Sequence, residues 1–177
     1  MKILKNTVIL VLLALVVVLG STLLNTRFKL GMLCREASAE FYENTGIATQ
    51  LDSICVDASA IASIAKEHGL DTDSLTNAVE ELQSMISHRS SAASVYERYS
   101  KVKAELSALT AKLMSQGLGD SDSQAVTALQ AKIQEAQEKI SSSSYNTYIQ
   151  SFLEKYDRFP ANLFAKLANV HLPEVFA

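Results

Sequence analysis

Several residue types that carry chemistry are scarce in this chain. Its 177 residues include no tryptophan, two prolines, two cysteines and three histidines. The histidines, His68, His88 and His171, all lie more than four residues from one another and from either cysteine, so the sequence encodes no helical metal pair. It also contains no glycine-rich phosphate loop and no Gly-x-Ser-x-Gly nucleophile elbow. We therefore predict a protein that is not an enzyme and that has no metal site and no cofactor.

The two cysteines are too far apart along the chain to suggest a shared site. Cys34 and Cys55 are separated by 21 residues within what reads as one helical arm. A straight helix would place them roughly 30 Å apart, which is far beyond the span of a disulfide. We predict two free thiols that are buried or idle.

Negative charge dominates the chain beyond its first 30 residues. From residue 31 onward there are 12 Lys or Arg against 19 Asp or Glu, a net charge of −7. Nucleic-acid binding requires a basic surface, so this class of function is excluded. The same balance argues against a domain that lies flat on anionic lipid.

A long apolar run occupies the N-terminal segment. Residues 8–19 are all apolar, and the 21 residues between Lys5 and Arg27 carry no charge. A helix needs about 20 residues to cross the hydrocarbon core of a bilayer. We predict a transmembrane signal anchor over residues 6–26, within an N-terminal segment of residues 1–30, and a separate domain over residues 31–177.

Two questions about this segment stay open in the sequence. Lys2 and Lys5 followed by an apolar stretch also fit a signal peptide cleaved near residue 20, although Val18 and Gly20 make a poor cleavage site. Basic residues flank the span on both sides, so the positive-inside rule does not decide orientation. We expect a cytoplasmic N-terminus, which places the domain on the extracytoplasmic side of a cell membrane.

Helical periodicity dominates the rest of the chain and predicts an all-α fold. Gly69 and the loop of residues 117–120 separate three long helices, and the second of them can be split near Ser90. The third begins with a capping box of Ser121 and Gln124 and ends at Pro160. Short loops make neighbouring helices antiparallel, so we expect an elongated antiparallel bundle with coiled-coil-like apolar stripes. The clearest stripe is Ile47, Leu51, Ile54, Ala58, Ile61, Ala65 and His68.

The last residues contain several motifs at fixed spacing. After Pro160, Asn162 is placed to cap a short helix whose apolar face would fold back onto the bundle. That face consists of Leu163, Phe164, Leu167 and Val170. The motifs are Tyr145-Asn146-Thr147-Tyr148-Ile149, Phe159-Pro160-Ala161-Asn162-Leu163 and, near the end, Glu174-Val175-Phe176.

Over residues 145–176 these motifs resemble the closing signature of the LemA family. The chain looks like a divergent member, because Phe152-Leu153 stands where the family repeats Tyr-Asn. The resemblance implies an N-terminal transmembrane segment followed by a four-helix bundle, and it implies no enzyme activity. The family-motif residues, which we expect to be structural, are Tyr145, Asn146, Ile149, Phe159, Pro160, Asn162, Leu163 and Phe176.

Two functions are compatible with these features. The first is a membrane-anchored interaction or scaffolding module of the cell envelope, which binds an unidentified protein partner or a second copy of itself. The second is an envelope protein that holds a small apolar ligand within the bundle. Its cavity would be lined by aromatic side chains, which are Tyr96, Tyr99, Tyr145, Tyr148, Phe152 and Tyr156.

Overall fold

The computed structural model describes residues 2–43, 45–158 and 161–177, with side chains from residue 9 onward. Over these ranges the chain is all-helical and contains no strand, which confirms the predicted fold class. The helices are α1 (Lys2–Tyr42), α2 (Ile47–Glu67), α3 (Asp73–Ser87), α4 (Ala92–Ser115), α5 (Asp120–Ser141), α6 (Tyr145–Tyr156) and α7 (Ala161–Leu167).

The chain forms two compact units. The anchor unit consists of Met1–Ser38 and Gln150–Pro173, and the bundle unit consists of Ala39–Ile149 and Glu174–Ala177. Most of α1, the second half of α6 and all of α7 therefore belong to the anchor unit. The bundle unit contains α2, α3, α4 and α5 together with the end of α1 and the start of α6. The predicted division at residue 30 stays a prediction.

The first half of α1 is long and apolar enough to cross a membrane. From Ile9 to Leu19 its side chains are exposed, and no residue of its most apolar window is buried inside the protein. By length and composition this helix is a candidate membrane span.

Helix α2 supplies the core of the bundle unit. It packs against α3, α4 and α5, and α3 packs against α4. The stripe that the sequence predicts along α2 is buried from Ile47 to Ala65. His68 departs from the stripe because it follows the last helical residue; its Nε2 lies 2.9 Å from Oδ2 of Asp122 at the surface.

A turn at residues 88–91 divides the predicted second helix, as the sequence allowed. Helix α3 ends at Ser87, and the Ser90 amide donates to the Met85 carbonyl across the turn at 3.0 Å. Arg89 has a φ of 51°, a left-handed conformation that ends the helix. The Ser91 hydroxyl then caps α4 by accepting from the Ser94 amide.

The prediction of one long final helix is wrong. Helix α5 ends at Ser141, and α6 begins at Tyr145, whose amide donates to the Ser143 hydroxyl. Serine hydroxyls compete for backbone hydrogen bonds, which explains why the run of four serines interrupts the helix. The predicted capping box is also wrong, because α5 already begins at Asp120, after Gly119, and has no side-chain cap.

The anchor unit has a small core of its own. Leu30 and Cys34 of α1 pack with Phe152 of α6 and Ala165 of α7. The side chains packed around them are Leu33, Tyr156, Val170 and Leu172.

The apolar face predicted for α7 is only partly buried: Val170 packs against the core of the anchor unit, and Phe164 is half-buried. Ala165 is buried, whereas Leu163 and Leu167 are 46% and 62% exposed. Asn162 lies inside the helix, and its side-chain amide donates to the Asp157 carbonyl at 3.3 Å rather than capping a helix N-terminus. Phe159 and Pro160 lie outside the described residues.

Gly46 is the glycine whose missing side chain matters most for the bundle unit. It precedes α2, and a Cβ at this position would lie 2.5 Å from the Phe41 carbonyl oxygen and 2.6 Å from that of Glu40. Both oxygens belong to backbone, so they cannot move aside as a flexible side chain would. Gly119 precedes α5 with a similar extended conformation, but a Cβ there would meet open space.

We predict that Gly46→Ala destabilises the protein by about 1–3 kcal/mol, because the added methyl group overpacks the backbone. Gly119→Ala is the matched control and should cost less than about 1 kcal/mol. The free energy of unfolding, measured by urea titration of the full chain in detergent, compares the two. Equal losses would show that the close backbone approach at Gly46 does not exist.

Candidate functional site

The C-terminal tail is fixed to the start of α6 by three hydrogen bonds. The Asn146 side-chain amide donates to the Phe176 carbonyl at 2.8 Å, and its oxygen accepts from the Phe176 amide at 2.7 Å. The Tyr145 hydroxyl donates to the Glu174 carbonyl at 2.9 Å. The Asn146 side-chain amide therefore bonds both the backbone N–H and the backbone C=O of Phe176, as a neighbouring β-strand would. This pairing fixes the position of the tail. We call this arrangement the C-terminal clamp.

Phe176 is the centre of an aromatic cluster within the bundle unit. Its ring centroid lies 5.5 Å from that of Phe41, 5.1 Å from that of Tyr96 and 6.0 Å from that of Tyr99. Tyr145 joins the cluster through Phe41, at 5.2 Å. Edge-on and tilted pairs at these distances are favourable beyond the burial of area. The cluster therefore ties the tail to α1, α4 and α6.

Burial raises the pKa of two phenols of this cluster, Tyr145 and Tyr99. Tyr145 is 3% exposed, and its pKa is raised to about 12, mainly by desolvation and further by the nearby Tyr42, Glu174 and Glu40. Desolvation also raises the pKa of Tyr99, although a hydrogen bond with Gln137 opposes the shift. Both groups are hydrogen-bond donors at neutral pH, not bases.

An open groove runs along the seam between α4 and α5. Its two halves measure about 490 and 510 Å³ and share Lys103, Gln134 and Gln137. From Tyr96 to Met114 the α4 wall advances by 18 residues, which corresponds to roughly 27 Å of helix. We call it the α4–α5 groove.

The lining of the α4–α5 groove combines apolar surface with side-chain amides. Leu106 and Ile133 form buried parts of it, whereas Tyr96 and Met114 are exposed. Several polar groups line it as well, namely Lys103, Gln130, Gln134, Gln137, Glu138 and Asn146. Such a surface can contact an apolar side chain and donate or accept hydrogen bonds at its edge. It offers no nucleophile paired with a base.

The predicted motif residues separate into two places. Tyr145, Asn146, Ile149 and Phe176 belong to the bundle unit, and three of them form the C-terminal clamp while Ile149 is fully buried. Asn162 and Leu163 belong to the anchor unit. Phe159 and Pro160 are not among the described residues, so their predicted roles remain predictions.

Sequence reasoning missed the partners of the C-terminal tail. Phe41 precedes Phe176 by 135 residues, and no local pattern connects positions so far apart. The glutamines of the α4–α5 groove, such as Gln134 and Gln137, were also missed, because they resemble ordinary solvated positions on a helix. An available signal was the motif pair Tyr145-Asn146 directly after the serine run, at the start of α6.

The aromatic residues expected to line a ligand cavity do not share one site. Tyr99 and Tyr145 belong to the packed aromatic cluster, and Tyr148 is exposed. Phe152 and Tyr156 lie in the anchor unit, where their ring centroids are 4.7 Å apart.

Both cysteines are free and buried, as predicted. Burial and the nearby Asp52 raise the pKa of Cys55 to about 12, and burial raises that of Cys34. Thiols in this state are poor nucleophiles. Within the described ranges, no three His, Cys, Asp or Glu side chains are grouped so as to hold a metal ion.

Comparisons of the chain with protein-family models, with curated proteins and with solved structures give no match.

We predict that Asn146→Ala releases the C-terminal tail. The change leaves the amide and carbonyl of Phe176 without their partner, at a cost of about 1–3 kcal/mol. Carboxypeptidase should remove Phe176 and Ala177 faster from this variant, as followed by intact mass. Thr147→Ala alters the exposed neighbour and should leave the digestion rate unchanged; similar rates for both variants would contradict the clamp.

We predict that Tyr145 makes stability sensitive to alkaline pH. Its pKa is about 12 in the folded state against 10 for the free group. Its contribution is therefore fully present below pH 10 and is lost as the pH rises from 10 to about 12. Tyr145→Phe should lose less stability over this interval in urea titrations than the natural chain does. Equal losses would show that the phenol is not held in its protonated form.

Proposed function

We propose that this protein is a non-enzymatic interaction module tethered to a membrane by residues 6–26, and that a segment of a protein partner binds in the α4–α5 groove. The observation that carries the proposal is this open groove, which extends along most of α4. In the same unit, α2 packs against α3, α4 and α5, and α3 packs against α4.

The exposed apolar half of α1 supports the tether. Burying a Leu, Ile or Val side chain away from water is worth about 1.5–3 kcal/mol. The run from Ile9 to Leu19 offers many such side chains, and none of them is buried within the protein. A bilayer supplies the apolar surroundings that the protein itself does not.

The composition of the groove supports a protein partner. Exposed Tyr and Met side chains are enriched at protein interfaces, and amides at the edge provide hydrogen bonds that fix orientation. A groove of roughly 27 Å accommodates a helical segment of about 18 residues, in the manner of an amphipathic helix in a groove. The bundle unit contains eight Lys or Arg and sixteen Asp or Glu, so a nucleic acid is not favoured.

The finer features of this proposal rest on the sequence. We propose that the helices of the domain form an elongated antiparallel bundle of the LemA type and that it stands on the extracytoplasmic side of a cell membrane. The split between α3 and α4 supports a four-helix arrangement. Partners would then be sought among envelope proteins and further copies of the chain.

A small apolar ligand inside the bundle has less support. Tyr99 and Tyr145 were expected to line its cavity, but both are engaged in the aromatic cluster around Phe176. The open groove with its amide edge fits a polypeptide better than an enclosed apolar molecule.

We predict that a photo-crosslinking amino acid at Ser107, in the wall of the groove, captures a protein partner in native membranes. The matched control is Val56, which is 60% exposed on α2 and does not line the groove. Adding Ala111→Arg, which crowds the groove, should reduce the yield at Ser107 about tenfold, equivalent to 1.4 kcal/mol.

The mass of the product identifies the partner, and twice the mass of the chain means self-association. The absence of any product at Ser107 would contradict the proposed function. So would the same product in equal yield at Val56.

A further inference from the structure

Helix α7 lies beside the part of α1 that directly follows the proposed span. An apolar groove of about 390 Å³ has walls formed by Thr26, Lys29 and Leu33 of α1 and by Ala161 and Phe164 of α7. All of these residues belong to the anchor unit. The C-terminal helices therefore return to the level at which α1 would leave the bilayer.

The distance along α1 shows how far this groove lies from the hydrocarbon core of the bilayer. From Thr26 to Leu33 the helix advances seven residues, which is roughly 10 Å. The polar layer on each side of the hydrocarbon core is roughly 5–8 Å thick. If residues 6–26 span the core, α7 lies in or directly above the layer of lipid headgroups.

Apolar side chains at this level are exposed. On α7 they are Leu163 and Leu167, which are four residues apart and so share a face. On α1 the side chain of Phe28 is 75% exposed, and Leu24 and Met32, one turn before and after it, are exposed as well. Exposed apolar side chains at this level can insert at the boundary between headgroups and acyl chains.

The part of the anchor unit that follows the proposed span has a positive net charge, in contrast with the bundle unit. Residues 27–38 and 150–173 contain six Lys or Arg and three Asp or Glu. The bundle unit contains eight and sixteen, respectively. The net negative charge beyond residue 30 therefore does not describe the surface next to the membrane, because the C-terminal helices bring basic residues back to α1. Anionic headgroups attract basic residues within about a Debye length, roughly 10 Å.

We propose that α7 and the adjoining surface of α1 bind the headgroup layer of an anionic bilayer. Leu163, Leu167 and Phe28 contact acyl chains, while Lys29 and Lys166 lie among the lipid phosphates. The inference rests on the proposed span and adds a second contact with the same membrane. Contact with the membrane would be the function of α7, which does not line the α4–α5 groove.

The absence of tryptophan makes a direct test possible. Leu167→Trp and, independently, Leu163→Trp introduce a single fluorescent reporter into the full chain, which is then reconstituted into nanodiscs. Brominated acyl chains quench tryptophan that touches them. Two further variants are the controls. Val16→Trp, in the proposed span, is the positive control, and Val56→Trp, at an exposed site of the bundle unit, is the negative control.

We predict that brominated lipid quenches Leu167→Trp roughly half as strongly as Val16→Trp, because α7 reaches only the boundary between headgroups and acyl chains. The quenching should be stronger in phosphatidylglycerol than in phosphatidylcholine, and Lys166→Gln should reduce this difference. Val16→Trp should be quenched in both lipids, and Val56→Trp in neither.

Three outcomes would overturn the proposal. Quenching of Val16→Trp without quenching at Leu167 or Leu163 would leave the span intact and exclude the surface contact. A blue-shifted emission at both α7 sites without quenching would show that protein, such as a second copy, covers them. No quenching at Val16 would remove the span and, with it, both proposals.

Discussion

The exposed apolar run of α1 is the constraint on which the whole account depends. Side chains from Ile9 to Leu19 have no partner within the protein, so they require apolar surroundings that water does not provide. The same helix continues to Tyr42 without a break and supplies Leu30 and Cys34 to the core of the anchor unit. It also supplies Phe41 to the aromatic cluster of the bundle unit. One continuous helix therefore connects the proposed membrane contact to the packed parts of the protein.

Local patterns in the sequence determine much of the fold. The stripe of α2 is buried as its periodicity indicates, and Gly69, with a φ of 74°, ends this arm where a left-handed residue is needed. The interruption near Ser90 was also visible from its sequence. The division between α5 and α6 was missed, because the apolar stripe continues through it and only the serine run opposes helix formation.

The candidate site was predicted less completely, because it depends on contacts between distant residues. Tyr145 and Asn146 were singled out by a motif, but their bonds to Glu174 and Phe176 cross about 30 residues and follow from the return of the tail. The α4–α5 groove arises because α5 packs mainly on α2 rather than on the helix that precedes it. The charge pattern shows the same limit, since basic residues of α6 and α7 are distant from α1 in sequence and become its neighbours only on folding.

Thiol labelling on both sides of the proposed span tests whether residues 6–26 are retained and cross a membrane. Cys34 and Cys55 are replaced by alanine, and a single cysteine is placed at Lys5 or at Ser121, which is exposed in the first turn of α5. Intact cells are treated with a membrane-impermeant thiol reagent, and permeabilised cells are the reference. We predict that Ser121→Cys is labelled in intact cells and that Lys5→Cys is labelled only after permeabilisation. Labelling of both from the same side, or loss of the Lys5→Cys residue from the mature protein, would contradict this prediction.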